Sequence, residues 1–247
     1  MWPLKIKNNH MKKIVTLIHT DLRQIFRDKT LTVFLFAPVI LIVFVRFFVP
    51  YMTDQYPIVG DHHGMILMFA GIQTAIMFGF IISFIILEEK DENVLQVIRV
   101  LPISPFYFIL YRLIFATAFS AFGAFLMLNL GGIAYPGLLN SFLLSIQYGL
   151  TAPFITFIIA TFAKNKVEGM AFFKGVDLVL LLPMLSFFIV GNMKYIFSII
   201  PAFWTYRLFH ASINNGNTAF YFIIGLTIYG IVISALFLQF KKRIFDR

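Results

Sequence analysis

The sequence predicts an all-α integral membrane protein with six transmembrane helices. Hydrophobic residues make up 60% of the 247 positions and charged residues only 13%, whereas soluble domains are about half apolar and about a quarter charged. The polar residues that remain are spread along the chain in pieces too short to build a soluble domain. We therefore expect a single transmembrane domain over residues 1–247.

Residues 10–29 predict an amphipathic helix that lies in the membrane interface. One helical face is apolar and the other carries basic and polar side chains, which is typical of a helix that rests on anionic headgroups. The apolar face comprises Met11, Ile14, Val15, Ile18, Leu22, Ile25 and Phe26. A soluble helix packed against the loops is the alternative.

Six apolar runs are each long enough to cross a hydrocarbon core of about 30 Å at 1.5 Å per helical residue. They predict spans at residues 31–49, 65–87, 106–130, 138–163, 170–191 and 219–240. Pro38, Pro153 and Pro183 predict kinks in the first, fourth and fifth spans, because proline cannot donate a helical hydrogen bond.

Side chains near the start of the fifth span, and the segment after that span, predict further local features. We expect Asp177 to pair with Lys174, one helical turn earlier, near the inner membrane surface. Residues 192–218 are partly apolar but too broken to span, which predicts a re-entrant or interfacial element before span 6. Trp204 and Tyr206 suit the headgroup layer there.

Residues 88–105 form the most acidic stretch of a basic chain and separate spans 2 and 3. Val94, Leu95 and Ile98 recur there at helical spacing, which predicts a short amphipathic helix. Pro102 would end this helix because it has no N–H, and Pro105 suits the first turn of the next one. A solvated, charged hairpin is the plain alternative.

The order of these features resembles the first cytoplasmic loop of ABC-transporter permeases of the second exporter type. That loop reads roughly Glu-basic-Glu-x-Gly-Thr-Leu-Glu-x-Leu, followed within a few residues by Pro-(Val/Ile)-Ser. The positions that match are Glu89, Lys90, Glu92, Leu95, Ile98, Pro102, Ile103 and Ser104. Asn93 and Val94 stand where the family usually has Gly and often has Thr. The stretch 165–169 also resembles the loop between spans 4 and 5 of these permeases.

The resemblance implies that residues 88–105 form a coupling helix that docks into a groove on a separate ATPase subunit. The residues expected at that contact are Glu89, Glu92, Val94, Leu95, Ile98, Arg99, Pro102, Ser104 and Glu168. The sequence has no Gly-x-x-x-x-Gly-Lys-Ser/Thr loop, so we expect the chain itself to hydrolyse no ATP and to hold no cofactor or metal. ATP and Mg²⁺ would be bound by the partner ATPase.

The resemblance also implies export of an amphiphilic or hydrophobic cargo, such as a drug, a peptide antibiotic or a lipid. Two permease subunits, in a homodimer or a heterodimer, would enclose the path, with spans 2 and 5 nearest to it. The residues that could line the path are Gln73, Met77, Phe80, Met184 and Phe187.

Two other classes of function match the sequence less well. A secondary transporter usually has ionisable groups near the bilayer midplane, where this chain offers neutral residues such as Gln73, Asn129 and Gln147. A membrane-embedded enzyme such as a CAAX-type protease needs clustered carboxylates and histidines. Glu88 and Glu89 have no histidine within a span to join them.

The basic residues predict the orientation of the chain. Seventeen of the twenty Lys and Arg residues fall in residues 1–30, 88–112, 164–174 and the C-terminal tail. By the positive-inside rule, both termini are cytoplasmic in a bacterial-type inner membrane. The net charge of +9 is therefore attributed to membrane topology and not to nucleic-acid binding.

This topology predicts which cysteines can be labelled from outside in this cysteine-free chain. Asp61→Cys and Gly137→Cys should react with a membrane-impermeant thiol reagent in intact cells, because both positions are expected outside. Asn93→Cys and Asn165→Cys are the matched controls and should react only after the membrane is permeabilised. Labelling of Asn93→Cys in intact cells would contradict the six-span layout.

Overall fold

A computed structural model of the chain describes residues 17–92 and 105–244, with the backbone alone for 105–108 and 244. Over these residues the chain folds into nine α-helices and three short 3₁₀ helices, without a strand, which confirms the predicted all-α fold. The helices, in chain order, are α1 for the helix that includes residues 17–27, α2 for Lys29–Gln55, α3 for His63–Asp91, α4 for Pro105–Leu130, α5 for Leu138–Gly149, α6 for Thr151–Phe162, α7 for Lys166–Leu181, α8 for Pro201–Ile213 and α9 for Thr218–Ile244.

Six helical stretches are long and apolar enough to cross a membrane, which confirms the predicted number. Helices α2, α4 and α9 each supply one such stretch, and the second combines the 3₁₀ helix Pro57–His62 with α3. The fourth combines α5 with α6, and the fifth combines α7 with the 3₁₀ helix Leu182–Phe187.

Two helices begin earlier than the predicted spans because side chains cap their N-termini. Asp28 caps α2: its Oδ1 accepts hydrogen bonds from the N–H groups of Thr30 at 2.8 Å and Leu31 at 3.3 Å. Such a cap satisfies N–H groups that have no partner in the first helical turn. Asn165 caps α7 in the same way, so residues 166–169, expected in a loop, are helical.

The fourth span is broken at Leu150, where α5 ends and α6 begins. Pro153 lies three residues later and has no N–H, so the carbonyl group of Gly149 cannot accept the usual helical hydrogen bond from it. The next bond, from the N–H of Phe154 to the carbonyl oxygen of Leu150, is long at 3.4 Å. The predicted bend therefore lies one turn before the proline.

Helix α3 is central and packs against α2, α4, α6 and α7. Gly79 permits the approach of α6, because a Cβ at this position would lie 2.8 Å from backbone atoms of Ala152. Phe80 joins α3 to α2 and α7, with its ring 4.0 Å from that of Phe34 and 4.5 Å from that of Phe173. Movement of α3 would therefore disturb all four neighbours.

The chain between the fifth span and α9 folds as the 3₁₀ helix Gly191–Ile199 followed by α8. Helix α8 has thirteen residues and reaches about 20 Å, too short to cross a bilayer. The prediction that Tyr206 lies among the headgroups is wrong, because most of α8 packs inside the bundle. The ring of Tyr206 is fully buried, and its hydroxyl donates to the carbonyl oxygen of Leu180 at 3.1 Å. Trp204, half-buried, donates to the carbonyl oxygen of Ser198 at 2.9 Å.

Candidate functional site

Buried charges gather at one end of the bundle. This end, which we call the basic end, comprises α1, the last turn of α3, the first turns of α4 and α7 and the tail of α9. It holds both edges of the segment 93–104, which itself lies outside the described residues. The contacts at this end therefore determine how that segment is attached to the bundle.

Arg112 on α4 is the centre of the first charged cluster. Its guanidinium contacts Asp21 of α1, with Nε–Oδ2 and Nη2–Oδ1 distances of 2.8 and 2.6 Å. The same guanidinium donates to Glu89 of α3, with Nη1–Oε2 and Nη2–Oε1 distances of 2.5 and 2.6 Å. The hydroxyl of Tyr111 donates to Oδ2 of Asp21 at 2.6 Å. One side chain thus joins three helices.

This cluster is almost removed from solvent. The side chain of Arg112 is 2% exposed, and those of Asp21 and Glu89 are 10% and 12% exposed. The planar guanidinium suits such a place because it can form paired hydrogen bonds with carboxylates. Two carboxylates share one cation, so loss of Arg112 would leave two buried anions that repel each other.

Lys166, the first residue of α7, is the centre of a second cluster. Its Nζ lies 2.9 Å from Oε2 of Glu88 and 3.1 Å from Oδ2 of Asp28. Gln24 of α1 donates to the same oxygen of Glu88 at 2.8 Å. Arg27 approaches Glu88 at 3.6 Å, but its side chain is 76% exposed, so this contact contributes little. The second cluster adds α7 to the helices joined at the basic end.

Asp28 links the start of α2 to the start of α7. Burial raises the pKa of Asp28, but hydrogen bonds from Lys166 and from the N–H groups of Leu31 and Thr30 outweigh burial and hold the pKa below its ordinary value of 3.8. Because this pKa is lower in the folded chain than in the unfolded chain, the ionised carboxylate stabilises the fold above pH 3.8. That contribution is lost as the pH falls through the folded-state pKa.

The first turn of α7 carries a reciprocal cap. The N–H of Glu168 donates to Oδ1 of Asn165 at 2.9 Å, and Oε2 of Glu168 accepts from the N–H of Lys164 at 2.8 Å. This arrangement is close to a capping box. Lys90 of α3 donates to the carbonyl oxygen of Ala163 at 2.8 Å, so the connection between α6 and α7 is also tied to α3.

The nine residues predicted to contact an ATPase fall into two groups. Three are described: Glu89 is in the Arg112 cluster, Glu92 is the exposed residue that ends α3, and Glu168 closes the cap of α7. Six lie outside the described residues: Val94, Leu95, Ile98, Arg99, Pro102 and Ser104. Contact with an ATPase stays a prediction for all nine.

The predicted ion pair between Lys174 and Asp177 is wrong. Asp177 instead accepts a hydrogen bond from Nε2 of Gln73 on α3 at 2.8 Å, while Lys174 is exposed. The two side chains lie one turn apart on α7, but Lys174 extends outward while Asp177 reaches toward Gln73 on α3. The expectation that only neutral polar groups occupy the middle of the spans is also wrong, because Asp177, which contacts Gln73, lies in the middle of the stretch Lys166–Phe187.

The other residues predicted to line a path are dispersed. Phe80 is fully buried in the aromatic cluster, and Met77 and Met184 are half-buried. The ring of Phe187 stacks on that of His210 at 5.3 Å and lies 4.9 Å from the guanidinium carbon of Arg207. Their roles in a path stay predictions.

Sequence reasoning missed the residues that join the helices at the basic end. These are Asp21, Gln24, Asp28, Arg112 and Lys166. The sequence did contain a signal for two of them. Asp21 lies within a helix whose other charges are basic, and Arg112 lies just inside an apolar span. Charges in such places need partners, although hydropathy does not say which.

A bundle of six span-capable helices, with buried charges at one end and a polar contact between α3 and α7, has the architecture of a multi-pass membrane protein. The chain belongs to the family of Rv2686c-like fluoroquinolones export permease proteins, whose family model matches residues 21–237. The predicted class, a membrane export permease, is confirmed.

Two relatives from Mycobacterium tuberculosis are similar to the chain along most of its length. They are the fluoroquinolones export permease proteins MT2760, of strain CDC 1551 / Oshkosh, and Rv2686c, of strain ATCC 25618 / H37Rv. Each is 25% identical over 232 residues, which cover 90% of this chain and 92% of the relative. No solved structure matches the chain.

The Arg112 cluster predicts a large loss of stability for Arg112→Ala. We expect the free energy of unfolding in mild detergent to fall by about 3–5 kcal/mol, because two buried carboxylates lose their only described cation. Arg27→Ala is the matched control, since it removes an exposed arginine from the same region and should change stability by under about 1 kcal/mol. Equal, small losses for both variants would contradict the role assigned to the cluster.

Proposed function

We propose that this chain is the transmembrane subunit of an ATP-driven exporter of the ABC class, powered by a separate ATPase subunit that binds ATP and Mg²⁺. The observation that carries the proposal is the Arg112 cluster, which joins α1, α3 and α4 at both edges of the segment 93–104. A partner that displaced this segment would move three helices together, because a buried, multiply bonded joint permits little independent motion.

The two ends of the segment would have different roles. Glu89 would anchor the segment to the bundle, since Arg112 contacts both of its carboxylate oxygens, and the ATPase would meet it from its remaining exposed edge. The docking surface would consist of the exposed Glu92 and the predicted amphipathic helix after it. The residues of that helix that would contact the ATPase are Val94, Leu95, Ile98 and Arg99, with Pro102 and Ser104 at its end. Lys166 and Glu168 would make the start of α7 follow the same movement.

The orientation that this function requires has both termini and the basic end in the cytoplasm of a bacterial-type cell. The support is the segregation of Lys and Arg: only Lys194, Arg207 and Arg46 lie toward the opposite side. Cations are retained on the cytoplasmic side of short loops. An ATPase in the cytoplasm would then meet the segment 93–104 directly.

A second permease subunit, identical or related, would complete the path. The exposed side of α7 supports a second subunit. Leu178 is 62% exposed there, and Lys174, eight residues after the start of the helix, is also exposed. A charged side chain at that depth is costly to place against lipid. An opposing subunit and a path between the two would surround it with protein and water instead.

The cargo is proposed from the two relatives, which are named fluoroquinolones export permease proteins. We propose that this chain exports fluoroquinolones or amphiphilic drugs of similar size. A peptide antibiotic or a lipid-like molecule is the wider possibility that the predicted class includes.

An ion-coupled secondary transporter is the second candidate, and Asp177 is the observation in its favour. Carboxylates at mid-depth of a bundle are common in carriers that move with protons or sodium. The two functions differ in their energy source. Export that continues without an ATPase and stops when the proton gradient is collapsed would favour the carrier.

Breaking the predicted coupling helix should uncouple the exporter. Leu95→Pro removes a helical N–H and should cost the helix about 3 kcal/mol or more. We expect loss of fluoroquinolone export from cells and loss of cargo-stimulated ATP hydrolysis by the co-purified complex. Abundance in the membrane should stay normal, because no span is altered.

Leu95→Ala is the control for Leu95→Pro, since alanine shortens the side chain but preserves helix propensity. It should retain part of the export that Leu95→Pro loses. Glu92→Lys, which reverses a charge at the expected docking edge, should also reduce export. Full export by Leu95→Pro at normal abundance would show that residues 93–104 are only a solvated hairpin.

A dimer with α7 facing the shared path predicts crosslinking between subunits. Leu178→Cys should form a disulfide or a short bis-thiol crosslink between two copies in membranes, since the chain has no other cysteine. Leu238→Cys, similarly exposed on α9 at 64%, is the control and should stay monomeric. Absence of crosslinks at Leu178 with and without nucleotide, together with a monomeric mass, would contradict this arrangement.

A further inference from the structure

Asp177 is a carboxylate at mid-depth of the bundle. Lys166, at the basic end, lies eleven residues earlier on α7, so Asp177 is about 16 Å further along at 1.5 Å per residue. Because a hydrocarbon core is about 30 Å thick, Asp177 lies near the middle of the fifth span. Every other carboxylate of the sequence lies close to a span end or outside the spans.

The position of Asp177 is supported independently by the alignment of α3 and α7. Lys166 contacts Glu88 at the basic end, and Asp177 contacts Gln73 fifteen residues earlier on α3. The two helices run in opposite directions, and the intervals between the contacts, about 22 Å on α3 and about 16 Å on α7, differ by about 6 Å, which the long Lys and Gln side chains and helix tilt accommodate. The pair of Asp177 and Gln73, which we call the mid-depth pair, is therefore part of the packing of α3 against α7.

The mid-depth pair lies at the edge of that packing, beside a face that no described helix covers. On α7, Phe173 and Leu180 are buried about one turn before and after Asp177, but its neighbour Leu178 is 62% exposed. On α3, Phe69 is 41% exposed one turn before Gln73, and Met77 one turn after it is half-buried. A ligand on this open face could reach both polar side chains.

Among the residues that the structure describes, the mid-depth pair has unused acceptors and no cation partner. Asp177 accepts one hydrogen bond, at Oδ1, and among the described residues no donor reaches its Oδ2 or the Oε1 of Gln73. No described Lys, Arg or His forms an ion pair with Asp177. An unpaired carboxylate in the middle of a membrane domain is costly and is usually functional.

We infer that the mid-depth pair binds the protonated amine of the exported cargo, an inference that rests on the proposed export function. An ammonium group supplies several N–H donors and a positive charge, which match one free carboxylate oxygen and one free amide oxygen. A bare divalent cation matches less well, because Ca²⁺ or Mg²⁺ requires six or more oxygen ligands. Phe69, Met77 and Leu178 would contact the apolar body of the amine, which makes the ligand class an amphiphilic organic cation.

Equilibrium binding of two related probes to the purified full chain tests this inference. Ciprofloxacin has a basic piperazine amine, and in N-acetylciprofloxacin the same nitrogen is part of a non-basic amide. We expect Asp177→Asn to weaken ciprofloxacin binding by about tenfold or more, since a charge-assisted hydrogen bond is lost. Binding of the acetylated probe should change by less than about twofold, because it makes no such bond.

Three further variants separate recognition from folding. Asp54→Asn removes an exposed carboxylate elsewhere and should leave both affinities unchanged. Asp177→Glu keeps the charge and should retain a preference for ciprofloxacin. Gln73→Ala keeps the carboxylate and should weaken ciprofloxacin binding by a few fold, which keeps the test valid if Asp177→Asn does not fold.

Several outcomes would overturn the inference. These are equal affinity of the unaltered chain for the two probes, equal weakening of both by Asp177→Asn or Gln73→Ala, and no effect of either substitution on ciprofloxacin. The measurement needs no ATPase and no energy source. A chain that binds ciprofloxacin through Asp177 but exports none of it in cells would support the inference and count against the proposed function alone.

Discussion

The guanidinium of Arg112 lies between two carboxylates, Asp21 and Glu89, that come from different helices and would otherwise repel each other. All three side chains are nearly removed from water. In the protein interior charges interact strongly, and a charge without a partner is costly. Helices α1, α3 and α4 therefore have to meet at this point. The remaining features of the basic end follow from that constraint, because the end of α3 positions Glu88 for Lys166 and so determines where α7 begins.

Helix α3 carries this constraint from the basic end into the middle of the bundle. Gly79 lets α6 approach to backbone contact, and Phe80 packs against rings from α2 and α7. The contact between Gln73 and Asp177 lies further along the same helix. A displacement at the basic end would therefore also move the residues at mid-depth, because both belong to one continuous helix. Helix α3 is thus a physical connection between the proposed site of ATP coupling and the proposed site of cargo binding.

Much of the fold could be predicted because hydropathy, and the Pro, Gly and charged residues that end apolar runs, are local signals. An apolar run of 19 residues or more has to be buried in a bilayer or in a large protein core. The number of such runs predicted the number of spans. Helix ends were less certain, since the caps by Asp28 and Asn165 extended α2 and α7 beyond their apolar runs. The Lys174–Asp177 pair was mispredicted because helical spacing does not say which side of α7 faces α3.

By itself, the sequence determined the class of fold, the number of spans, the charge asymmetry between the two sides and the acidic segment that resembles a permease loop. These properties depend on residues that are close together in the chain. Only the tertiary structure decided which polar and charged side chains are partners, because the partners are far apart in the chain. Asp21 and Arg112 are separated by 91 positions, and Gln73 and Asp177 by 104. Their pairing depends on how buried helices pack, and packing is set by shape and by the cost of leaving a polar group without a partner.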